Sequence, residues 1–340
     1  MRKNNLTPVI VLAFVAVILL IMGYMGRQSP PETEPSKYTI LDPPSDVTCM
    51  VEQDDVLWVG GKEGVVKIDI ETKSVQDIQC DERMTYTRHM LIYNETLWIG
   101  HDRGLTWYNN SGCETLTEED GMVDDRVNYL MEASDGALWA GTWHGAYYYQ
   151  EGAWERITVD DGLMDNYVNV MIEDNYGGIW FGSNTAPEGG ISIYHDGKWQ
   201  YFNTENGLVH NNIVQFYEDT DGSIWASTGL LDIGAAIKFQ YLDREWKLTE
   251  ILNDTHGLPK GKIRSVYRDN EGYLWVGSEN NGLSIETPDG FNIITRDDGL
   301  SHDEVKVYYV DEKNNLWLGT RDGITILSEN DIDEIRNKDI

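Results

Sequence analysis

A tryptophan recurs seven times along this chain in one short frame, in which an apolar residue precedes it and Gly or Ser stands two positions after it, as in LWVGG, IWFGS and LWLGT. The seven copies centre on Trp58, Trp98, Trp139, Trp180, Trp225, Trp275 and Trp317. Successive copies lie 40 to 50 residues apart. A period near 40 with strand-like content is typical of the blades of a β-propeller.

Each unit reads as four short strands joined by tight turns. Around Trp180, residues 168–174 alternate into a first strand, NYGG forms a turn, and IWFGS forms a second strand. The segments ISIYH and KWQYF follow, with Asp196-Gly197 between them. Tight Asn, Asp and Gly turns between β-rich segments indicate hairpins, so we predict a four-stranded antiparallel blade for each unit.

A second element, Gly followed in most copies by Leu, ends most units. Its glycines are Gly121, Gly162, Gly207, Gly257 and Gly299. We expect each of them to supply a positive φ where the chain returns to the ring centre. The repeated tryptophans are expected to pack between neighbouring blades rather than to contact a ligand.

The strand count predicts how the ring closes. The last unit contains only three strand-like segments, whereas residues 38–41 read as a strand without a partner ahead of the first unit. Placing this strand fourth in the last blade removes an exposed sheet edge. The predicted fold is therefore all-β, a seven-bladed propeller of four-stranded antiparallel blades closed by an N-terminal strand and preceded by one hydrophobic helix.

The first residues differ in kind from the repeats. Two basic residues precede an apolar run over residues 9–22, which is typical of a signal anchor with its N-terminus inside the cell. A cleaved signal peptide is the alternative, and the protein would then be secreted. The predicted organisation is a signal anchor or transmembrane helix at 1–25, a Pro/Glu-rich linker at 26–37, the propeller at 38–330 and a charged C-terminal tail at 331–340. The expected location is the cell membrane, single-pass, with the propeller on the extracytoplasmic side.

Charge and cysteine content limit the partners. The chain has 58 Asp and Glu against 26 Lys and Arg, a formal net charge of −32. Such a surface repels phosphates, which argues against a nucleic-acid partner. Export permits one disulfide among Cys49, Cys80 and Cys113, but their spacing matches no zinc motif and leaves the pairing open.

The combined frame, Asp-Gly-Leu followed by Leu-Trp-Ile-Gly-Thr and Gly-Leu, resembles the two-component regulator propeller repeat over nearly the whole chain after residue 38. That resemblance implies the extracytoplasmic sensor half of a hybrid histidine kinase. No kinase sequence follows Ile324, so we expect a stand-alone propeller that does not signal by itself. A weaker similarity to streptogramin lyase implies a seven-bladed propeller using a magnesium ion and a histidine, but its catalytic residues do not align here.

Function in such a fold is expected in the loops after each Gly-Leu and each Trp-Gly step, which share one face and differ most among the repeats. The candidate ligand-binding residues there are His101, Arg103, Asp125, Trp143, His144, Asp165, Asn166, Tyr167, His210, Asn211, Asn280, His302, Asp303 and Arg321. Trp143 and Tyr167 are expected to stack on a sugar or to clamp a peptide.

These observations predict a membrane-anchored, sensor-like propeller that binds a carbohydrate, a peptide or another extracytoplasmic protein. One alternative is a metal-assisted polysaccharide or cyclic-ester lyase or hydrolase, with His101, His144, His210 and His302 converging at the channel mouth. The other is a structural interaction module of a membrane complex. We predict no catalytic residue, metal ligand or cofactor, although a divalent cation is compatible with the loops.

Overall fold

The computed structural model describes residues 36–42, 44–78, 80–116, 120–121, 126–150 and 152–337. The predicted signal anchor lies outside these residues, as does the predicted linker apart from Ser36 and Lys37. No helix among the described residues has both the length and the apolar character needed to cross a membrane.

Seven antiparallel sheets of four strands follow one another along the described chain, which confirms the predicted seven-bladed propeller. In each of blades 1 to 6, four consecutive strands run from the ring centre outward. Blade 1 contains β2 (Cys49–Gln53), β3 (Val56–Gly61), β4 (Gly64–Asp69) and β5 (Val75–Asp77). Blade 2 contains β6 (Thr87–Tyr93), β7 (Thr96–His101), β8 (Gly104–Asn109) and β9 (Gly112–Leu116). Blade 3 contains β10 (Val127–Glu132), β11 (Leu138–Thr142), β12 (Gly145–Gln150) and β13 (Ala153–Ile157).

The remaining blades repeat this order. Blade 4 contains β14 (Val168–Glu173), β15 (Ile179–Ser183), β16 (Ile191–His195) and β17 (Lys198–Phe202). Blade 5 contains β18 (Ile213–Glu218), β19 (Ile224–Leu230), β20 (Ile233–Leu242) and β21 (Glu245–Leu252). Blade 6 contains β22 (Ile263–Arg268), β23 (Leu274–Ser278), β24 (Leu283–Thr287) and β25 (Gly290–Ile294). Blade 7 contains β26 (Val305–Val310), β27 (Leu316–Thr320), β28 (Gly323–Leu327) and, from the start of the chain, β1 (Thr39–Leu41).

The ring closes as the strand count predicts. Strand β1 pairs antiparallel with β28, with Thr39 opposite Ile326 and Leu41 opposite Ile324. The first and last blades are thereby joined by backbone hydrogen bonds. Closure of this kind covers the outer edge of β28, which would otherwise be exposed to pairing with another chain.

The repeated tryptophans lie between the sheets. Trp180 of blade 4 meets Phe216 of blade 5 edge-on, with ring centroids 5.7 Å apart. Trp225 of blade 5 belongs to the same apolar cluster as Ile263 and Val266 of blade 6. The large indole rings fill the wedge-shaped space between neighbouring sheets, so burial of these rings stabilises the ring as a whole.

The Gly-Leu elements have the predicted geometry. All five glycines have φ between 93° and 127°. At Gly257 and Gly299 the glycine ends a single turn of 3₁₀-helix (Asp254–His256 and Arg296–Asp298). Leu258 and Leu300, which follow these glycines, are buried and fix the return of the chain to the ring centre.

The end of the chain differs from the predicted tail. Residues Glu329–Arg336 form a helix, α1, so the predicted boundary at residue 330 falls inside it. Ser328 caps the helix through a hydrogen bond from the Asp331 backbone N–H. Ile332 and Ile335, three residues apart and on one helix face, are buried in the apolar cluster of blades 6 and 7. The sequence contains this spacing, but only two apolar residues mark it and the residues around them are mostly charged.

Cys80 and Cys113 form a disulfide, whereas Cys49 is a buried free thiol. Cys80 follows the outermost strand of blade 1, and Cys113 lies in β9, the outermost strand of blade 2. The bond therefore joins the outer edges of two neighbouring blades across 33 residues of sequence.

Candidate functional site

The innermost strands contain a repeated irregularity that shapes the centre of the ring. Six of the seven, all except β2, have a β-bulge after their first residue. A bulge inserts one residue that has no partner on the neighbouring strand and redirects its side chain. The inserted residues are Arg88, Asn128, Asn169, Val214, Arg264 and Lys306.

All six inserted residues line one cavity of about 300 Å³ in the ring centre, which we call the channel cavity. It lies where the innermost strands begin, on the face that also carries the turns between second and third strands. We call this the entry face. Thr48 supplies the wall position of blade 1, and the other lining residues are Cys49, Met50, Tyr86, His89, Tyr129, Tyr167, Asn184, Val170, Gln215, Phe216 and Val307.

The cations of the channel cavity are paired with acids at its rim. The Arg88 Nε lies 2.5 Å from Asp102 Oδ1, and Arg264 Nη2 lies 2.8 Å from Glu304 Oε1. Lys306 Nζ bonds to the carboxylate of Asp46. The three acids belong to loops of the entry face and are not among the lining residues of the cavity.

Burial and pairing set the charge states around Lys306. Burial lowers the pKa of Lys306, and the nearby Glu304 and Asp46 carboxylates oppose that effect. Burial would raise the pKa of Asp46, but hydrogen bonds from Lys306 and from the Tyr86 hydroxyl, 2.5 Å away, hold it below its usual range. The pair is therefore ionised at neutral pH.

The amides of the cavity tie adjacent blades together. Asn128 donates from Nδ2 to the Val168 carbonyl of blade 4 at 2.9 Å, and Asn169 donates to the Ile213 carbonyl of blade 5 at 2.9 Å. The Asn128 Oδ1 is buried and accepts no hydrogen bond from the described residues. One acceptor at the cavity wall thus remains available.

His89 lies against this wall in its neutral form. Its ring stacks on Tyr129 with centroids 3.9 Å apart, and its Nδ1 accepts a hydrogen bond from the Leu130 backbone N–H. Burial lowers the pKa of His89 to about 4. The histidine therefore adds no positive charge to the cavity at neutral pH.

Two aromatic rings stand at the mouth of the cavity, and we call them the rim aromatic pair. Trp143, in the turn between β11 and β12, lies 5.0 Å from Tyr167, centroid to centroid. Trp143 is 40% exposed, and the guanidinium of Arg126 lies 4.1 Å from the centre of its ring. Tyr167 also lines the channel cavity. The pair therefore forms a continuous surface from the outer rim into the channel.

Among the described residues singled out from the sequence as ligand-binding candidates, only Tyr167 lines the channel cavity. Asp125 lies outside the described residues. Seven side chains each accept a backbone N–H of their own or a neighbouring loop and so hold loop shape: His101, Asp165, Asn166, His210, Asn211, His302 and Asp303. The exposed loop residues that do not line the cavity are Arg103, His144, Asn280 and Arg321.

The lyase alternative requires the loop histidines His101, His144, His210 and His302 to meet at the channel mouth. His101 is fully buried against Thr106, 2.8 Å away, and His210 and His302 each accept a hydrogen bond from the backbone two residues on. Within the described residues, no group of three or more His, Cys, Asp or Glu side chains is placed to hold a metal ion.

Sequence reasoning missed the bulge residues because it assigned them to regular strands. Their signal is nevertheless present, since each stands second in its innermost strand, directly after a β-branched residue, as in Thr87-Arg88 and Val305-Lys306. A charged residue at one fixed position of an otherwise apolar repeat indicates a side chain that faces water or a ligand.

Comparisons with known proteins follow the same repeats. A family model described as the two component regulator propeller matches residues 162–185, 207–229 and 257–280, each from a Gly-Leu element to the following Trp element. No curated protein matches the chain.

Solved structures share the fold at low identity. The extracellular domain of a proposed hybrid two-component system from B. thetaiotaomicron aligns with a TM-score of 0.73 and 19% identity, over 88% of this chain and 42% of the other. The extracellular domain of a proposed one-component system from the same organism aligns with a TM-score of 0.68 and 22% identity, over 86% of this chain and 39% of the other. This chain thus spans about two fifths of those domains. Catalytically inactive virginiamycin B lyase from Staphylococcus aureus with quinupristin aligns with a TM-score of 0.65 and 12% identity, over 86% of this chain and 98% of the other.

Proposed function

We propose that this chain, which carries three matches to the two component regulator propeller model, is an extracytoplasmic, sensor-like propeller that binds a carbohydrate or a peptide at the mouth of its central channel. The ligand lies on the rim aromatic pair and reaches the polar wall of the channel cavity. Binding, rather than chemistry, is the proposed activity of the site. The signal that follows binding is passed to a partner protein.

The observation that carries the proposal is the rim aromatic pair, with an exposed Trp143 and a half-buried Tyr167, opening onto a polar cavity. Large exposed indole rings are uncommon on a protein surface unless they contact a partner or ligand. The flat faces of Trp143 and Tyr167 suit the apolar face of a sugar ring or the side chain of a peptide. Asn128, Asn169 and the neighbouring cations supply the polar contacts that would orient such a ligand.

The location outside the cytoplasm rests on two observations. A disulfide joins Cys80 and Cys113, and structural disulfides persist in oxidising compartments. The two similar structures named first are extracellular domains of proposed signalling systems. The apolar run at residues 9–22 supports attachment to the membrane through the N-terminal segment.

Glycan and peptide arrays probed with the full chain test this proposal. Trp143→Ala is expected to weaken the strongest array signal by up to about tenfold, because stacking on an aromatic ring contributes about 0.5 to 1.5 kcal/mol. The matched control is Tyr149→Ala, which removes an aromatic residue of similar exposure, 37%, from the far end of β12 in the same blade. Retention of full binding by Trp143→Ala and Tyr167→Ala would place the site elsewhere.

A further inference from the structure

We propose that the channel cavity binds an anionic group of the ligand, and that the ligand is an acidic oligosaccharide carrying a carboxylate, such as a uronic-acid residue. This inference rests on the proposed function, because it names the ligand class of the same site. The sugar ring lies on the rim aromatic pair, and its carboxylate enters the channel cavity.

The first argument is the composition of the wall. The chain has 58 acidic residues against 26 basic ones, yet the channel cavity is lined by three cations and by no Asp or Glu. All three cations, Arg88, Arg264 and Lys306, stand at inserted bulge positions. A polyanionic protein does not need cations in its central channel for solubility. The occurrence of all three at the inserted bulge position of the repeat therefore points to recognition of negative charge.

The second argument concerns the balance of charge at the mouth. Arg88 and Arg126 both approach Asp102, at 2.5 and 3.7 Å, so one carboxylate serves two guanidinium groups. A carboxylate arriving from solution can therefore pair with Arg88 while Asp102 keeps Arg126 as its partner. This exchange leaves no rim acid unpaired, which removes the main cost of inserting a new anion.

The third argument is an unused hydrogen-bond donor in the wall of the channel cavity. Arg264 directs Nη2 to Glu304, but its Nε–H is buried and has no acceptor among the described residues. Buried donors are normally satisfied, and an unpaired one indicates a missing partner. Asn128 Oδ1 is a buried acceptor in the same wall. A carboxylate flanked by hydroxyl groups offers both an acceptor and donors.

The geometry joins these groups to the aromatic rim. Arg126 stacks on Trp143, shares Asp102 with Arg88, and so connects the exposed ring to the cavity wall. Tyr167 belongs to both surfaces. A ligand ring on Trp143 thus has a charged substituent directed toward Arg88.

The test uses the full chain and a panel of uronic-acid trisaccharides, each paired with its methyl ester, together with neutral trisaccharides and acidic peptides. Esterification removes the charge and keeps the ring. At least one acid is expected to bind, with its ester at least about tenfold weaker, since a charge-assisted hydrogen bond differs from a neutral one by that order. Binding of the acid is also expected to weaken with added salt.

The matched variants are Arg88→Gln and Arg244→Gln. Arg88→Gln should weaken binding of the acid about tenfold and leave binding of the ester unchanged, whereas Arg244→Gln, in the exposed turn between β20 and β21, should change neither. In Arg88→Gln, Asp102 keeps Arg126 as its partner. If this variant nevertheless lowers the melting temperature, Arg88→Lys keeps a positive charge beside Asp102 and should still weaken binding of the acid, because an ammonium replaces the planar guanidinium.

The outcomes separate the two proposals. Equal affinity for acids and esters, or binding of neutral sugars alone with sensitivity to Trp143→Ala, overturns the anion site and leaves the proposed function. Preference for acidic peptides over every saccharide overturns the saccharide class. A panel and an array that both yield no ligand sensitive to Trp143→Ala overturn both proposals.

Discussion

Blades 4 to 7 and blades 1 to 3 hold their repeated tryptophans in different ways. In blades 4 to 7 the turn after the innermost strand starts with an aspartate whose carboxylate accepts the indole N–H of the tryptophan six residues later. We call this contact the Asp–Trp latch. The four latches are Asp174–Trp180 at 2.8 Å, Asp219–Trp225 at 2.9 Å, Asp269–Trp275 at 2.6 Å and Asp311–Trp317 at 3.0 Å.

Blades 1 to 3 have no such latch at the equivalent turns. Blades 1 and 2 use two-residue turns with positive φ, at Asp54-Asp55 and Asn94-Glu95, which are too short to carry the aspartate. Blade 3 keeps the longer turn but places Ala133 at its start. The indole nitrogens of Trp58 and Trp139 are buried without an acceptor among the described residues.

The difference teaches that one repeat frame is stabilised by two means. The three segments matched by the family model each contain a latch aspartate, Asp174, Asp219 or Asp269. Blades 1 and 2 carry the disulfide between Cys80 and Cys113 instead. The candidate site draws on both regions, with Arg88 and Trp143 from the irregular blades and Tyr167, Arg264 and Lys306 from the latched ones.

Among the substitutions, the largest effect is expected from the loss of the disulfide that supports the irregular blades. Cys80→Ser/Cys113→Ser is expected to lower the free energy of unfolding by about 3 to 4 kcal/mol, because a crosslink across a loop of this length restricts the unfolded chain by that amount. Urea unfolding measures the loss, and hydrogen exchange should place the early opening in blades 1 and 2. Cys49→Ala, which removes only the free thiol, serves as the control for cysteine loss. An unchanged unfolding midpoint in the double variant would mean that the disulfide does not stabilise these blades.

The next effect is a fall in the free energy of unfolding between about pH 6.5 and 4, caused by two histidines of the irregular region. Burial lowers the pKa of His89 and of His101, both in blade 2, to about 4. Above about pH 6.5 both are neutral whether folded or unfolded. As the pH falls from about 6.5 to 4, the unfolded chain binds protons that the folded chain does not. The free energy of unfolding should therefore fall by up to about 3 kcal/mol for each histidine.

The Asp–Trp latch of blade 7 should respond only at lower pH. Burial would raise the pKa of Asp311, but hydrogen bonds from Asn315 and Trp317 hold it below its usual value of 3.8. The stability that it contributes is thus complete above that value and is lost as the pH falls further. Urea unfolding at a series of pH values should show both windows. His101→Gln should remove about half of the first fall in stability, because His89 still contributes the rest, and Asp311→Asn should alter only the second. A single acid transition unaffected by His101→Gln would contradict the assignment.

Most of the frame could be predicted from the sequence because it depends on short-range patterns. The period of the tryptophans, the Gly turns and the unpaired strand at residues 38–41 determine blade number and closure without any knowledge of side-chain packing. The rim position of Trp143 and Tyr167 also followed, since both stand in loops that the blade topology assigns to one face. Contact of this pair with a ligand stays a prediction.

The channel cavity could not be predicted in the same way. A bulge is a defect of pairing between two strands, and nothing within Thr87-Arg88-His89 alone states that Arg88 lacks a cross-strand partner. Loop residues such as Asn166 and Asn211 were selected for their chemistry, yet that chemistry serves their own backbone, which competes for short polar side chains. The helix α1 was not predicted, because only two apolar residues mark its buried face.

The smallest effect on stability is expected from a substitution that introduces an Asp–Trp latch into blade 3. Ala133 has the backbone of a latch aspartate, since its N–H bonds to the Ala137 carbonyl at 2.9 Å as that of Asp174 bonds to Gly178 at 2.9 Å. Ala133→Asp is expected to raise the free energy of unfolding by about 1 kcal/mol, because the new carboxylate accepts the buried indole N–H of Trp139. Slower exchange of that indole proton in NMR spectra should accompany the gain. The converse variant, Asp311→Ala, should lose more than Ala133→Asp gains, because it leaves Trp317 unpaired in a site built around the carboxylate. If Ala133→Asp destabilises the protein without slowing that exchange, the packing of blade 3, and not its missing aspartate, is what separates it from blades 4 to 7.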